Sequence, residues 1–410
     1  MKHFNLIFMG LIFADLILKR YLNYRQTLAI SNSYSRVPAP FNNNISLQDH
    51  QKAANYSLTK LRVASFELTF SILLIFAFTF GGGIEFIAQK TLLANYPLSS
   101  EVLIIISYML VSSILGLPFE LYKTFKVEQK FGFNKMTIGL FIGDQIKGMV
   151  VGLVIGLPLL YLVFWLMNSL GNTWWIYVWA VLVIFNLLLL VIYPTVIAPI
   201  FNKFTPLEDL ELKAKIENLL TKCGFKSQGV FVMDGSKRSS HGNAYFTGLG
   251  NSKRIVFFDT LLKQLNHDEI IAVLAHELGH FKHKHIVKQM IVSFGITLIG
   301  LFIFSLLINQ EWFYHSLNVE TINNATGLLL LFILTGTISL PLAPLSSFMS
   351  RKNEYEADNF AKENANKDDL ISGLVSMYRD NASTLTPDSL YVKFYYSHPP
   401  ATLRIANLEK

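Results

Sequence analysis

Apolar residues fall along this chain in seven blocks: Phe4–Leu18, Ala64–Phe86, Val102–Leu121, Met149–Met167, Trp174–Ile192, Val287–Ile308 and Gly327–Leu345. A helix needs about 20 such residues to cross a bilayer, so the pattern predicts an α-helical membrane protein with seven spans. Tyr21-Leu22-Asn23-Tyr24, behind the first block, is too bulky for a signal-peptide cleavage site, which makes that block a retained anchor.

The polar stretches between the blocks differ in charge. Segment 19–62 holds Lys19, Arg20, Arg25, Arg36, Lys52, Lys60 and Arg62, and segment 123–147 holds five lysines; 195–286 is basic as well. By contrast 168–173 and 309–325 have no Lys or Arg, and 87–101 has only Lys90. Basic loops stay in the cytoplasm, so 19–62, 123–147, 195–286 and the residues after the last span are expected there. The domain layout follows: 1–194 a membrane region with five spans, 195–286 a cytoplasmic insertion, 287–346 the last two spans, and 347–410 a helical part returning to the insertion. Asp15, Glu67, Glu85, Glu120 and Asp144 fall within or at the ends of spans. Such acids in lipid face protein or water, or else mark span ends drawn too far.

Within the insertion, Pro206–Cys223 reads as an amphipathic helix. Gly229–Met233 and Arg254–Phe258 read as short strand-like runs, with Gly242–Thr247 between them and Gly248-Leu249-Gly250-Asn251-Ser252 as hairpin turn chemistry. Asn243, Ala244 and Tyr245 form either an edge that pairs with an extended peptide or an ordinary stabilising hairpin. Short helices are expected over Glu354–Asn364, Lys367–Arg379 and Pro387–Tyr396.

The chemistry is concentrated in Ile270–His285, around His276-Glu277-Leu278-Gly279-His280, an HExxH pattern. Residues four apart share a helix face, so both imidazoles converge on one ion while Glu277 reaches a water on it. Asn266 with Glu269 supplies a capping box, and Ile270, Ile271, Val273, Leu274 and Leu278 an apolar stripe. Catalytic zinc takes three protein ligands. His283 and His285 read as a solvated helix end, so the third ligand is sought in Ser350–Asp358. There Glu354 and Asp358 lie one turn apart: one can bind metal while the other holds a ligand histidine's second ring proton. His398, in an extended segment before Pro400, and Arg404 can donate to an oxyanion.

Composition narrows the alternatives. Charged residues make up 15% of the chain, against about 25% in soluble proteins. The single cysteine, Cys223, excludes an intramolecular disulfide framework and a Cys-rich metal site, and the net charge of +7 reflects basic loops, with no nucleic-acid motif.

Several motifs in this order resemble the CAAX prenyl protease 1 family of integral-membrane zinc metallopeptidases, which process the C-termini of prenylated proteins. They are HELGH at 276–280, SRKNEYEAD at 350–358, SHPPATLR at 397–404, SSHGNAYFTG at 239–248, KRIVFFDTLL at 253–262, YPTVIAPIFNKFTPL at 193–207 and PFELYKTFKVEQKFGFN at 118–134. The resemblance implies seven helices enclosing a water-filled chamber, with a small cytoplasmic α+β metalloprotease domain. It implies Zn2+ held by His276, His280 and Glu354, Glu277 as general base and later acid, and Asp358 behind the ligands. His398 and Arg404 would engage the substrate carbonyl, and Asn243, Ala244 and Tyr245 would pair with it. Expected partners are membrane-associated, prenylated or similar, peptides or proteins and the bilayer itself. A quality-control membrane protease without prenyl preference, and a non-proteolytic zinc-binding transporter or scaffold, are the other readings. A bacterial inner membrane and the endoplasmic reticulum both suit the orientation.

Overall fold

The computed structural model describes residues 3–93, 95–227, 229–247 and 254–410. Among the described residues five helices are long and apolar enough to cross a membrane: Leu47–Phe78, Pro97–Phe131, Ile138–Ser169, Gly171–Phe201 and His285–Leu307. A sixth crossing forms if Asn324–Ile338 and Leu340–Asn364 are one span, bent by 48°. The bend falls where Pro341 and Pro344 enter the first turn of the second piece, since proline cannot continue the preceding ladder. The run Gly327–Leu345 is therefore two helices. The short helix expected from Glu354 is instead the end of one that begins at Ala343. The first block lies in Phe4–Asn32, which carries Asp15, Lys19 and Arg20 and stands outside those candidates.

The spans converge at one end into a closed core that includes Phe8, Ile104, Phe164, Trp174, Phe304 and Leu330. Around it, Glu85 accepts hydrogen bonds from the amides of Glu320 and Thr321, outside the span that ends at Phe78. The other end holds a four-stranded sheet: β1 Phe204–Pro206, β2 Val230–Met233, β3 Ala244–Thr247 and β4 Arg254–Phe258. Its order is β1-β2-β4-β3, with β2 and β4 parallel and the outer pairs antiparallel. The expected β3–β4 hairpin is thus present, although its turn, Gly248 to Ser252, lies outside the described residues. A second core joins Phe257 of β4 to Ile216 of helix Leu210–Lys222, to Leu274 of helix His267–Lys282 and to Leu374 of helix Lys367–Asp380.

Ion pairs tie the sheet to the spans. Arg238 forks onto Asp144 at 2.8 and 2.9 Å and also donates to the Phe201 carbonyl. Between two of the spans themselves, Glu67 is paired with Lys123 at 2.8 Å.

Candidate active site

The HExxH helix, His267–Lys282, starts with the capping box its sequence suggests. The Asn266 side chain accepts from the amides of Asp268 and Glu269, and Glu269 accepts from the Asn266 amide. The buried apolar stripe turns His276 and His280 toward helix Ala343–Asn364. The two helices touch at Gly279, where a Cβ would come within 2.8 Å of the Ala357 Cα. That close approach lets Glu354 reach both imidazoles.

His276 Nε2 and His280 Nε2 lie 3.2 Å apart, Glu354 Oε1 is 3.3 Å from the latter, and Glu354 Oε2 is 3.4 Å from the former. Ligands about 2.0–2.1 Å from a tetrahedral zinc are spaced by about 3.3 Å, so these three groups fit that ion. The donor chemistry agrees, and among the described residues these three groups converge within 4.8 Å. Glu354 Oε2 is buried without a hydrogen-bond partner. Such an orphan is costly in a protein interior, and a cation among the ligands relieves it.

Each imidazole is held from behind. Asp358 Oδ1 accepts from His276 Nδ1 at 2.8 Å, and Asp358 is in turn gripped by Arg404 at 2.9 and 2.5 Å. Arg404 is buried; its Nε and Nη2 are taken by Asp358, and its Nη1 lies 3.6 Å from Glu354 Oε2. For His276, burial and the Arg404 charge lower the pKa, but the hydrogen bond to Asp358 and the adjacent Glu354 carboxylate outweigh them and raise it.

His280 is held by a residue that the sequence places wrongly. His285, expected on a solvated helix end, is 4% exposed. Its Nδ1 lies 3.0 Å from His280 Nδ1, and its Nε2 lies 3.0 Å from Glu356 Oε2. The cause is a break in the helix. Lys284 takes the left-handed conformation, φ 56°, between the HExxH helix and the span His285–Leu307. On an unbroken helix, residues five apart do not face each other. The turn at Lys284 brings His285 back beneath His280.

A cavity of about 320 Å³ opens in front of the ligands, lined by His276, Glu277, His398, Arg404, Asn243 and Ala244 among others. His398 Nε2 is 3.3 Å from Glu354 Oε1, and its Nδ1 is 2.8 Å from Ser397 Oγ. The imidazole shows 62% of its side chain to the cavity. The surrounding wall still desolvates it enough to lower its pKa, despite the pull of Glu354.

β3 borders the same cavity as the outer strand of the sheet. Phe246 of β3 packs on Phe281 of the HExxH helix, ring centroids 4.6 Å apart, which fixes the strand beside the metal ligands. The Asn243 carbonyl accepts from the Phe258 amide of β4. In an antiparallel pair the next residue then turns its amide and carbonyl outward, so Ala244 presents the free edge. Tyr245 pairs back onto Val256, and its ring meets Phe258 instead of the cavity.

Tyr378, Asn381 and Ser383 also line this cavity, and they line an adjoining one of about 440 Å³. That second cavity shares Lys60 with two more, of about 550 and 390 Å³, and the last is lined by Glu67. A string of hollows therefore runs from His276 and Glu277 between the membrane helices. The chain gives no local signal for the role of Tyr378 or Asn381, since neither belongs to a recognisable pattern.

Residues 26–203 match the sequence profile described as CAAX prenyl protease N-terminal, five membrane helices, and residues 206–410 match Peptidase family M48. The chain belongs to peptidase family M48. It is 34% identical to CAAX prenyl protease 1 of Saccharomyces cerevisiae over 99% of this chain and 95% of that one. With the CAAX prenyl protease 1 homolog of Arabidopsis thaliana it shares 36% identity, over 98% and 96% of the two chains. The crystal structure of S. mikatae Ste24p superposes with a TM-score of 0.91 at 33% identity, covering 98% of each chain. This family member is an integral membrane metalloendopeptidase, as the resemblance in its motifs implies.

Proposed function

We propose that this protein is a zinc endopeptidase that cleaves prenylated, membrane-associated chains near their C-termini. His276, His280 and Glu354 hold the ion. Zinc bound there supplies an acidified water and an electrophile for the scissile carbonyl. Glu277 takes the proton of the attacking water and returns it to the leaving amine. His398, neutral because its pKa is lowered, donates to the carbonyl oxygen as negative charge develops on it. Asp358 keeps His276 in the tautomer that leaves Nε2 free, and Arg404 keeps Asp358 in place. Ala244 pairs with the substrate backbone, between Asn243, which locks the register, and Tyr245, which supports the strand from behind. The observation that carries this reading is that His276, Glu277, His398 and the free edge of β3 border one cavity, with His280 and Glu354 converging on His276 at its wall.

The layout in the membrane is part of the proposal. Phe4–Asn32 is the further crossing that makes seven, its Asp15 and Lys19 neutralising each other at 2.7 Å. The basic segments 19–62, 123–147 and 195–286 face the cytoplasm, with 287–346 crossing twice and 347–410 returning to the insertion. The HExxH helix ends at Lys282 and the next span starts at His285. At 1.5 Å per residue, His280 then sits within about 10 Å of that span, a depth suited to a lipid-anchored substrate.

The test is cleavage of a farnesylated C-terminal peptide and its unprenylated twin by purified protein. Wild type should favour the farnesylated peptide. Glu277→Gln should keep its zinc and lose about 10²- to 10⁴-fold in turnover. Equal cleavage of both peptides would remove the prenyl preference, and a fully active Glu277→Gln would remove the assigned base.

A further inference from the structure

A chain cut near its C-terminus brings a free carboxylate into the chamber. Any scissile bond within a C-terminal four-residue motif lies within about three residues of that carboxylate, or about 10 Å of extended chain. A carboxylate taken from water into a walled cavity is costly unless a cation meets it.

The cations that line the hollows are mostly engaged. Arg238 is paired with Asp144, Lys123 with Glu67 and Arg404 with Asp358. Lys60 is different. It lines the 440 Å³ cavity that adjoins the catalytic one, as well as the two hollows beyond. Among the described residues it makes no salt bridge; its ammonium rests over the Tyr56 ring, 4.7 Å from the centroid. Glu128 is near enough to act on Lys60 electrostatically, but its two oxygens are taken by Tyr56 at 2.5 Å and His241 at 3.3 Å. The wall between the two cavities is Tyr378, Asn381 and Ser383, which border both.

We infer that Lys60 is the subsite for the substrate's terminal α-carboxylate, reading the free end of the chain while Ala244 pairs with its backbone. The inference rests on the endopeptidase reading above and adds a specificity to it. The enzyme is directed to chain ends by one unpaired cation in the cavity next to the metal.

The experiment compares a farnesylated peptide ending in a free acid with the same peptide ending in a carboxamide. Both are assayed with full-length wild type, Lys60→Gln and Lys60→Arg, with Glu277→Gln as the blank. Wild type should cleave the acid with kcat/KM about 10- to 100-fold above the amide, the span of one charge-assisted hydrogen bond, and mainly through KM. Lys60→Gln should cleave the two with equal efficiency, and Lys60→Arg should restore the preference. Equal cleavage of acid and amide by wild type, or a preference that survives in Lys60→Gln, overturns the subsite. If wild type cleaves neither peptide above the Glu277→Gln blank, the endopeptidase reading fails and the subsite with it.

Discussion

The Nδ1 atoms of His280 and His285 stand 3.0 Å apart, five residues on in sequence but joined by a left-handed turn at Lys284. With His280 Nε2 aimed at the metal position, its Nδ1 carries the proton, which His285 accepts; His285 then donates from Nε2 to Glu356. The chain fixes both tautomers. His285→Ala should lower zinc affinity by about 10- to 100-fold, the usual cost of losing such a support. Competition with a chelator of known affinity measures it, and unchanged affinity would mean that His285 only packs. His285→Gln, which keeps an acceptor oxygen, should lose less.

Gly279 sets the spacing between the two ligand-bearing helices. A methyl group there would lie 2.8 Å from the Ala357 Cα, which is backbone and has no rotamer to yield. Gly279→Ala should destabilise the protein by about 1–3 kcal/mol through overpacking and weaken zinc binding as Glu354 moves away. Thermal melting in detergent, with and without added zinc, checks both effects.

Arg404 and Asp358 form a buried pair, with side chains 8% and 0% exposed. Removing one partner of such a pair leaves an uncompensated charge and costs about 3–5 kcal/mol. Arg404→Met alone should therefore be more damaging than the double variant Arg404→Met, Asp358→Leu, measured by denaturant unfolding. Zinc affinity should fall in both, because each frees His276 to rotate.

Ala244 carries the outward amide of β3. Ala244→Pro removes that donor on an edge strand, where proline is tolerated. The expected result is a fall of about 10-fold in kcat/KM with zinc content unchanged, measured on a peptide substrate and by metal analysis. An unaltered kcat/KM would mean that the substrate does not pair there.

Where chemistry is local, the sequence was a good guide. HExxH with its capping box predicted a helix that turns two imidazoles to one point, and Glu354 with Asp358 one turn on predicted two carboxylates facing them, as the structure has them. The α+β character of the insertion was also legible, because strand runs and turn residues are short-range signals. The features that escaped depend on geometry between elements. His285 looked solvated because a single left-handed lysine leaves no trace in a hydrophobic pattern. The last span read as one apolar run because proline at its bend suits a first helical turn as well as a loop. Lys60 passed as one more cytoplasmic charge, and only the neighbouring walls show that it faces a cavity.

The Arg404–Asp358 contact also bears on how the enzyme comes into being. Arg404 follows His276 by 128 residues. At synthesis rates of roughly 5–20 residues per second, that is a delay of about 6 to 25 s. Throughout it the HExxH helix has been synthesised while the clamp behind His276 does not yet exist. The brace behind His276 is therefore completed only after all the residues between the two have been made, so the HExxH helix and its support are assembled in sequence rather than together.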